Sequence, residues 1–235
     1  MPVHILPGEN DPAGTLLPQQ PFPRAMFGEI SKLASLHCET NPIYLRVRCD
    51  EGTSITRTLL INSGQPLNDL FKYLPSPPNT RLDVLESTLR WRHMAPTAPD
   101  TLWCHPYFTK DPFLLTATPD IYIVGCQKQF GTRLVEHEKK ARGVQRCRLV
   151  MVPEFSTTGV LVLVNIRTLA VKTVCFGTEC TDGYSEVAEM CEFFSTMILL
   201  YTTLNTVTDA QALSPSEVPP ESVAASSPAL DMESQ

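Results

Sequence analysis

Motif-borne chemistry is missing from this chain of 235 residues. It holds no G-x-x-x-x-G-K-[ST], no G-x-S-x-G and no G-x-G-x-x-G, which removes the sequence signatures of P-loop nucleotide hydrolysis, serine-hydrolase chemistry and dinucleotide binding. The histidines, at 4, 37, 93, 105 and 137, form no H-x-H, no i, i+4 pair and no H-E-x-x-H. The eight cysteines, at 38, 49, 104, 126, 147, 175, 180 and 191, never fall as C-x-x-C. Cys175 and Cys180 are the nearest pair, and they lack a second pair or a histidine at ligand spacing, so neither a disulfide framework nor a structural zinc is expected. With no apolar signal segment at the start of the sequence, a reducing compartment is expected, nucleus or cytosol.

Positive charge is also scarce. The formal charge is −6, and residues 209–235 hold five acids (Asp209, Glu217, Glu221, Asp231, Glu233) with no Lys or Arg, which leaves −1 on residues 1–208. A nearly neutral body is poorly suited to salt-dependent phosphate-backbone binding. Arg133, Lys139, Lys140, Arg142, Arg146 and Arg148 make the one basic cluster, but it sits between two apolar strands and reads as a solvated hairpin tip before it reads as a nucleic-acid surface. From Phe193 only about a dozen residues are mostly apolar, short of the ~20 that a membrane span needs, so no membrane partner is expected.

What the chain has is a 43% hydrophobic composition and 21 prolines, enough apolar material for one proper core. Val3–Leu6 is expected to be a buried strand, and 43–48 and 55–62 two strands of a hairpin about Asp50-Glu51-Gly52. Apolar spacing predicts helices over Pro66–Leu74 and Arg81–Arg92, the second capped by Asn79 or Thr80. Further strands are expected at 120–125, 132–136, 147–152, 159–166 and 170–176. The spacing of Val187, Met190, Cys191, Phe194, Met197, Ile198 and Tyr201 predicts an amphipathic helix over 184–204. Residues 209–235, rich in Ser, Pro, Ala and acids, are expected to be disordered. The fold class expected is α/β.

His93–Tyr107 holds prolines at 96, 99 and 106 among aromatics. Such a loop is stiff; it is either a rigid connector or a platform that presents side chains reproducibly. This stretch is joined by four others in order: Leu6-Pro7-Gly8-Glu9-Asn10-Asp11-Pro12 with Leu17–Pro21, then Ser63-Gly64-Gln65 to Tyr73, then Pro119–Gly131, then Val152–Ser156. Together they resemble the small (B) subunits of replicative DNA polymerases, the delta group above all, over roughly residues 1–176.

The resemblance implies an incomplete calcineurin-like, metallophosphoesterase-type β-sandwich flanked by helices, catalytically degenerate. Active enzymes of that type read Gly-Asn-His-Asp/Glu where this chain has Gly8-Glu9-Asn10-Asp11. They carry a histidine where Ser63 precedes Gly64, and Gly-His-x-His where this chain has Gly125-Cys126-Gln127-Lys128. A lysine ammonium repels a divalent cation, so no catalytic, cofactor or metal residues are expected, and no cofactor. The family also places an oligonucleotide-binding barrel and the first half of the phosphoesterase-like domain before the position of Met1, which makes this chain a C-terminal part. The expected division is a phosphoesterase-like half-domain at 1–176, an extension with an amphipathic helix at 177–208 and an acidic tail at 209–235. The function implied is that of a nuclear, non-catalytic scaffold of DNA polymerase delta. It would contact the C-terminal domain of the catalytic subunit and a third accessory subunit, and DNA only weakly or indirectly. A residual metal-dependent phosphoesterase and a direct DNA-binding module are the alternatives.

Overall fold

Leu59–Ile61, Ile121–Val124 and Leu149–Val152 are continuous apolar runs whose residues are all buried, the pattern of strands covered on both faces. The computed structural model describes residues 2–49, 55–74, 80–139, 143–176, 198–201 and 209–213. In chain order the elements are β1 (Val3–Ile5), a 3₁₀ segment (Arg24–Lys32), β2 (Leu36–Cys38), β3 (Ile43–Cys49), β4 (Ile55–Asn62), α1 (Gln65–Leu70), α2 (Arg81–Trp91), β5 (Ile121–Gln127), β6 (Gly131–Lys139), β7 (Gly143–Pro153), α3 (Phe155–Thr158), β8 (Val160–Asn165), β9 (Val171–Cys175), β10 (Ile198–Tyr201) and β11 (Asp209–Leu213).

A six-stranded sheet runs β11-β3-β4-β5-β7-β6, and β10-β8-β9 makes a second sheet of three strands. β4, β5 and β7 are parallel to one another, with antiparallel β3 and β6 beside them. Leu45, Leu59, Ile61, Ile121, Ile123, Val150 and Val152 pack with Val162 and Val164 of the smaller sheet and with Ile166 just beyond β8. The neighbours in between, Leu60, Tyr122, Val124, Leu149 and Met151, face Leu67, Leu70, Val84, Leu85 and Leu89 of the helices. The fold is therefore mixed α/β, with a central sheet covered by helices on one side and by a second sheet on the other.

Local chemistry explains the helices. Gln65-Pro66 starts α1 with proline in the first turn, where its missing N–H costs nothing. Thr80 and Asp83 cap α2 reciprocally, satisfying two donors that the helix itself leaves open. Arg133 of β6 then reaches Asp83 at 2.7 Å and Glu86 at 2.8 Å, fixing α2 to the sheet.

The structure corrects three expectations. β1 is not a buried core strand: it pairs in parallel with β2, and Val3 is 48% exposed. Ile198–Tyr201 is a strand paired in parallel with β8, not the end of a helix; the rest of the expected helix lies largely outside the described residues. A four-residue apolar run fits either periodicity, and the hydrogen-bonding edge of β8 decides. Asp209–Leu213 pairs antiparallel with β3 where disorder was expected, because a sheet edge supplies partners that composition does not reveal. Residues 214–235, and residues 50–54 and 140–142 where hairpin turns were expected, also lie outside the described residues. Among the described residues no helix is long and apolar enough to cross a membrane.

Candidate functional site

The loops that follow β1, β4 and β5 meet at one end of the sheet, and uncharged side chains join them. After β1, the Asp11 carboxylate accepts from the Gly8 amide at 2.7 Å. Gln19 then reaches back, its Nε2 donating to Gly8 O at 2.9 Å and to Gly14 O at 2.8 Å. Gln19 and Asn41 exchange backbone hydrogen bonds of 2.7 and 3.1 Å. The Asn41 Nδ2 donates towards Gln19 Oε1, Ser63 Oγ and Gln65 Oε1, while its Oδ1 accepts from the Ser63 amide at 3.1 Å. Ser63 Oγ also donates to Gln65 Oε1, and Gln65 Nε2 donates to Gln19 Oε1 at 3.0 Å. Gln19, Asn41, Ser63 and Gln65 are all buried.

Gly64 brings in the third loop. Its φ is 106°, and a Cβ there would stand 2.3 Å from Gly125 O, so only glycine permits this approach. Beside it, Gln127 Nε2 donates to Gly125 O at 2.9 Å and its Oε1 accepts from Arg81 Nη1 at 2.9 Å. Arg81 in turn stacks on Phe71 with its guanidinium carbon 4.6 Å from the ring centroid.

The three positions compared with metal motifs are thus adjacent, but their side chains do not form a donor set. Glu9, Asn10 and Lys128 are exposed, and Asp11 and Cys126 are half-buried. Among the described residues no group of three His, Cys, Asp or Glu is placed to hold a metal ion. Carboxamides and a hydroxyl already hydrogen-bonded to one another are poor ligands for paired divalent ions, so the residues present do not fit a binuclear centre. Asn41, which ties the loops together, lies in none of the matching passages; Gln19, Gln65 and Gln127 lie inside them but carry no ligand chemistry.

The histidines have other work. His93 shares a 2.9 Å hydrogen bond with Asp111, and His4 shares one of 2.8 Å with Glu39 while stacking on His37. The Cys147 thiol is buried, which pushes its pKa up to about 12 and makes it a packing residue without nucleophilic character.

The proline loop is held at its base and open at its crown. Met94 and Leu115 bond back to Phe113 and Arg92 through the backbone, and Leu17 bridges to Trp103 and His105. Thr101 donates to Asp69 at 2.6 Å, and Tyr73 to Asp100 at 2.9 Å. Beyond these anchors the Trp103 side is open, with Trp103 67% exposed and Phe108, the residue next after the loop, 96%. Large exposed aromatics on a tethered loop are the composition of a protein-binding patch.

Residues 1–132 match the DNA polymerase alpha/epsilon B-subunit family. The chain belongs to this family. It is 39% identical to the DNA polymerase delta small subunit of Oryza sativa subsp. japonica over 76% of this chain and 38% of that protein. It is 42% identical to the DNA polymerase delta small subunit of Arabidopsis thaliana over 75% of this chain and 37% of the relative. The protein of the same name in Saccharomyces cerevisiae is 38% identical over 73% and 39% respectively. The chain therefore spans about two fifths of the length of these curated relatives.

In this member of the family two arginines of the basic cluster have internal partners. Arg133 serves α2, and Arg146 pairs with Glu136 across the β6–β7 hairpin at 2.8 Å. Arg148 is half-buried, and that burial lowers its pKa. Lys140 and Arg142 lie outside the described residues.

Proposed function

We propose that the chain is the C-terminal part of a non-catalytic scaffold subunit of DNA polymerase delta, acting in nuclear DNA replication. One observation carries this reading. Where active metallophosphoesterases gather imidazoles and carboxylates, Gln19, Asn41, Ser63 and Gln65 bond to one another, a set with no general base and no metal-binding charge. A degenerate calcineurin-like domain retains its loops for positioning alone, and recognition of other proteins is the work left to it. The names of the relatives support membership of a DNA polymerase delta assembly; the partners proposed, on the family resemblance, are the C-terminal domain of the catalytic subunit and a further accessory subunit, with DNA contacted weakly or through them. The proposed division keeps 1–176 as the phosphoesterase-like unit, with 177–208 and 209–235 as additions to it.

The crown of the proline loop is the docking surface proposed for one of these partners, because Trp and Phe in the open contribute most of the energy of an interface when desolvated. The test is capture of the catalytic subunit's C-terminal domain by the full chain, with Trp103→Ala/Phe108→Ala beside it. Capture is expected to fall at least tenfold in the variant, with thermal unfolding unchanged because neither side chain is in the core. Manganese-dependent hydrolysis of an aryl phosphate, lost on Asp11→Ala, would instead favour a residual phosphoesterase.

A further inference from the structure

β3 and the strand that covers its outer edge differ in what they bring to the pairing. β3 reads Ile-Tyr-Leu-Arg-Val-Arg-Cys, rich in β-branched and aromatic residues, whereas β11 reads Asp-Ala-Gln-Ala-Leu and has none. Asp and Ala are depleted in strands, so β11 is held more by the edge it meets than by its own preference. The register sets Asp209 opposite Arg48, Ala210 opposite Val47, Gln211 opposite Arg46 and Ala212 opposite Leu45. Val47 and Leu45 are buried between the sheets, while Arg46 and Arg48 are exposed on the other face. Opposite residues of an antiparallel pair share a face. The edge therefore alternates apolar positions with two arginines, and at the paired register positions the sequence of β11 supplies alanine opposite the former and a single acid, Asp209, opposite one of the latter. β3 also lies within the family-matched residues 1–132 and β11 lies beyond them.

We propose that the outer edge of β3 is a strand-docking site, covered in cis by β11 as an exchangeable strand. Its occupant in trans is an extended acidic segment of another protein with branched apolar residues at alternate positions. Such a segment adds a strand to the sheet through main-chain hydrogen bonds, takes the places of Ala210 and Ala212 with larger side chains, and sets carboxylates against Arg46 and Arg48. This inference is independent of the scaffold reading.

The probe is a fluorescent peptide of residues 204–214 carrying Ala210→Val, Gln211→Glu and Ala212→Ile, titrated against the full chain. Ala210→Pro/Gln211→Pro in the chain removes a strand donor at adjacent positions, so whichever faces β3 is lost. That variant is expected to bind the probe at least tenfold more tightly than the unaltered chain, and adding Arg46→Glu/Arg48→Glu should weaken binding at least tenfold. Equal binding by the proline variant and the unaltered chain, or indifference to charge reversal, overturns the proposal. If the proline variant loses cooperative unfolding, amide exchange in the unaltered chain decides. β3 amides that face β11 should exchange at least tenfold faster than those that face β4, and equal protection overturns the proposal.

Discussion

Asn41 is fully buried, and its carboxamide is within bonding reach of Gln19, Ser63 and Gln65 side chains and the Ser63 amide. Removing it leaves several buried polar groups without partners, each of which costs about 1–3 kcal/mol. Asn41→Ala is therefore expected to lower stability by about 2–4 kcal/mol once partial rearrangement is allowed for, measured by urea unfolding. A loss below about 1 kcal/mol would mean that Gln19 and Gln65 satisfy each other unaided. This residue was invisible to motif reading: an Asn before a Pro says turn, and nothing in its neighbours announces a buried network. Ser63-Gly64 was singled out through the family resemblance, and the structure adds that Gly64 admits a close approach to Gly125 O.

Asp69 joins two elements, α1 and the proline loop. Burial pushes its carboxyl pKa up, but the Lys72 ammonium at 2.5 Å and the hydrogen bond from Thr101 outweigh this and hold it below the ordinary carboxylate value. A carboxyl whose pKa is depressed on folding contributes stability that is complete above its unfolded value and fades as pH falls towards the folded one. The stability difference between the unaltered chain and Asp69→Asn should thus be constant from about pH 7 to pH 5 and shrink below about pH 4, followed by urea midpoints. An unchanged difference down to about pH 2.5 would exclude this role for the carboxylate. Elements with strong period were legible, namely α1, α2 and β3 to β9. The 3₁₀ segment at 24–32 was not, because its return is made by one side chain: the Arg24 guanidinium donates to the carbonyls of Ser31, Leu33 and Leu36.

At the scale of the whole molecule, the two sheets are tied by polar contacts as well as by their apolar faces. Arg57 of β4 bonds Asp120 at 2.9 Å and reaches the carbonyls of Ile166 and Arg167 beyond β8, while Asp120 also accepts from the Thr58 amide at 2.8 Å. The pair is about 27–29% exposed, so solvent screening reduces its worth. Arg57→Met, which keeps the aliphatic packing, is expected to cost about 1–2 kcal/mol and to speed amide exchange in β8 and β9 more than in β5. Equal acceleration in all three strands would indicate that the sheets are held by their apolar faces alone.

Hydrophobic periodicity by itself determined α1, α2 and β3 to β9 and with them the α/β class, since a buried face must repeat with the period of its element. The expectation of no metal site at Ser63, Cys126 and Lys128 came from the family resemblance together with what each side chain can donate. The tertiary structure alone decided that Gln19 and Asn41 close the space between the loops, and that Ile198–Tyr201 and Asp209–Leu213 become strands. Both depend on partners distant in the chain: a buried amide is stable only where other polar groups surround it, and a weak strand only where a sheet edge is already built.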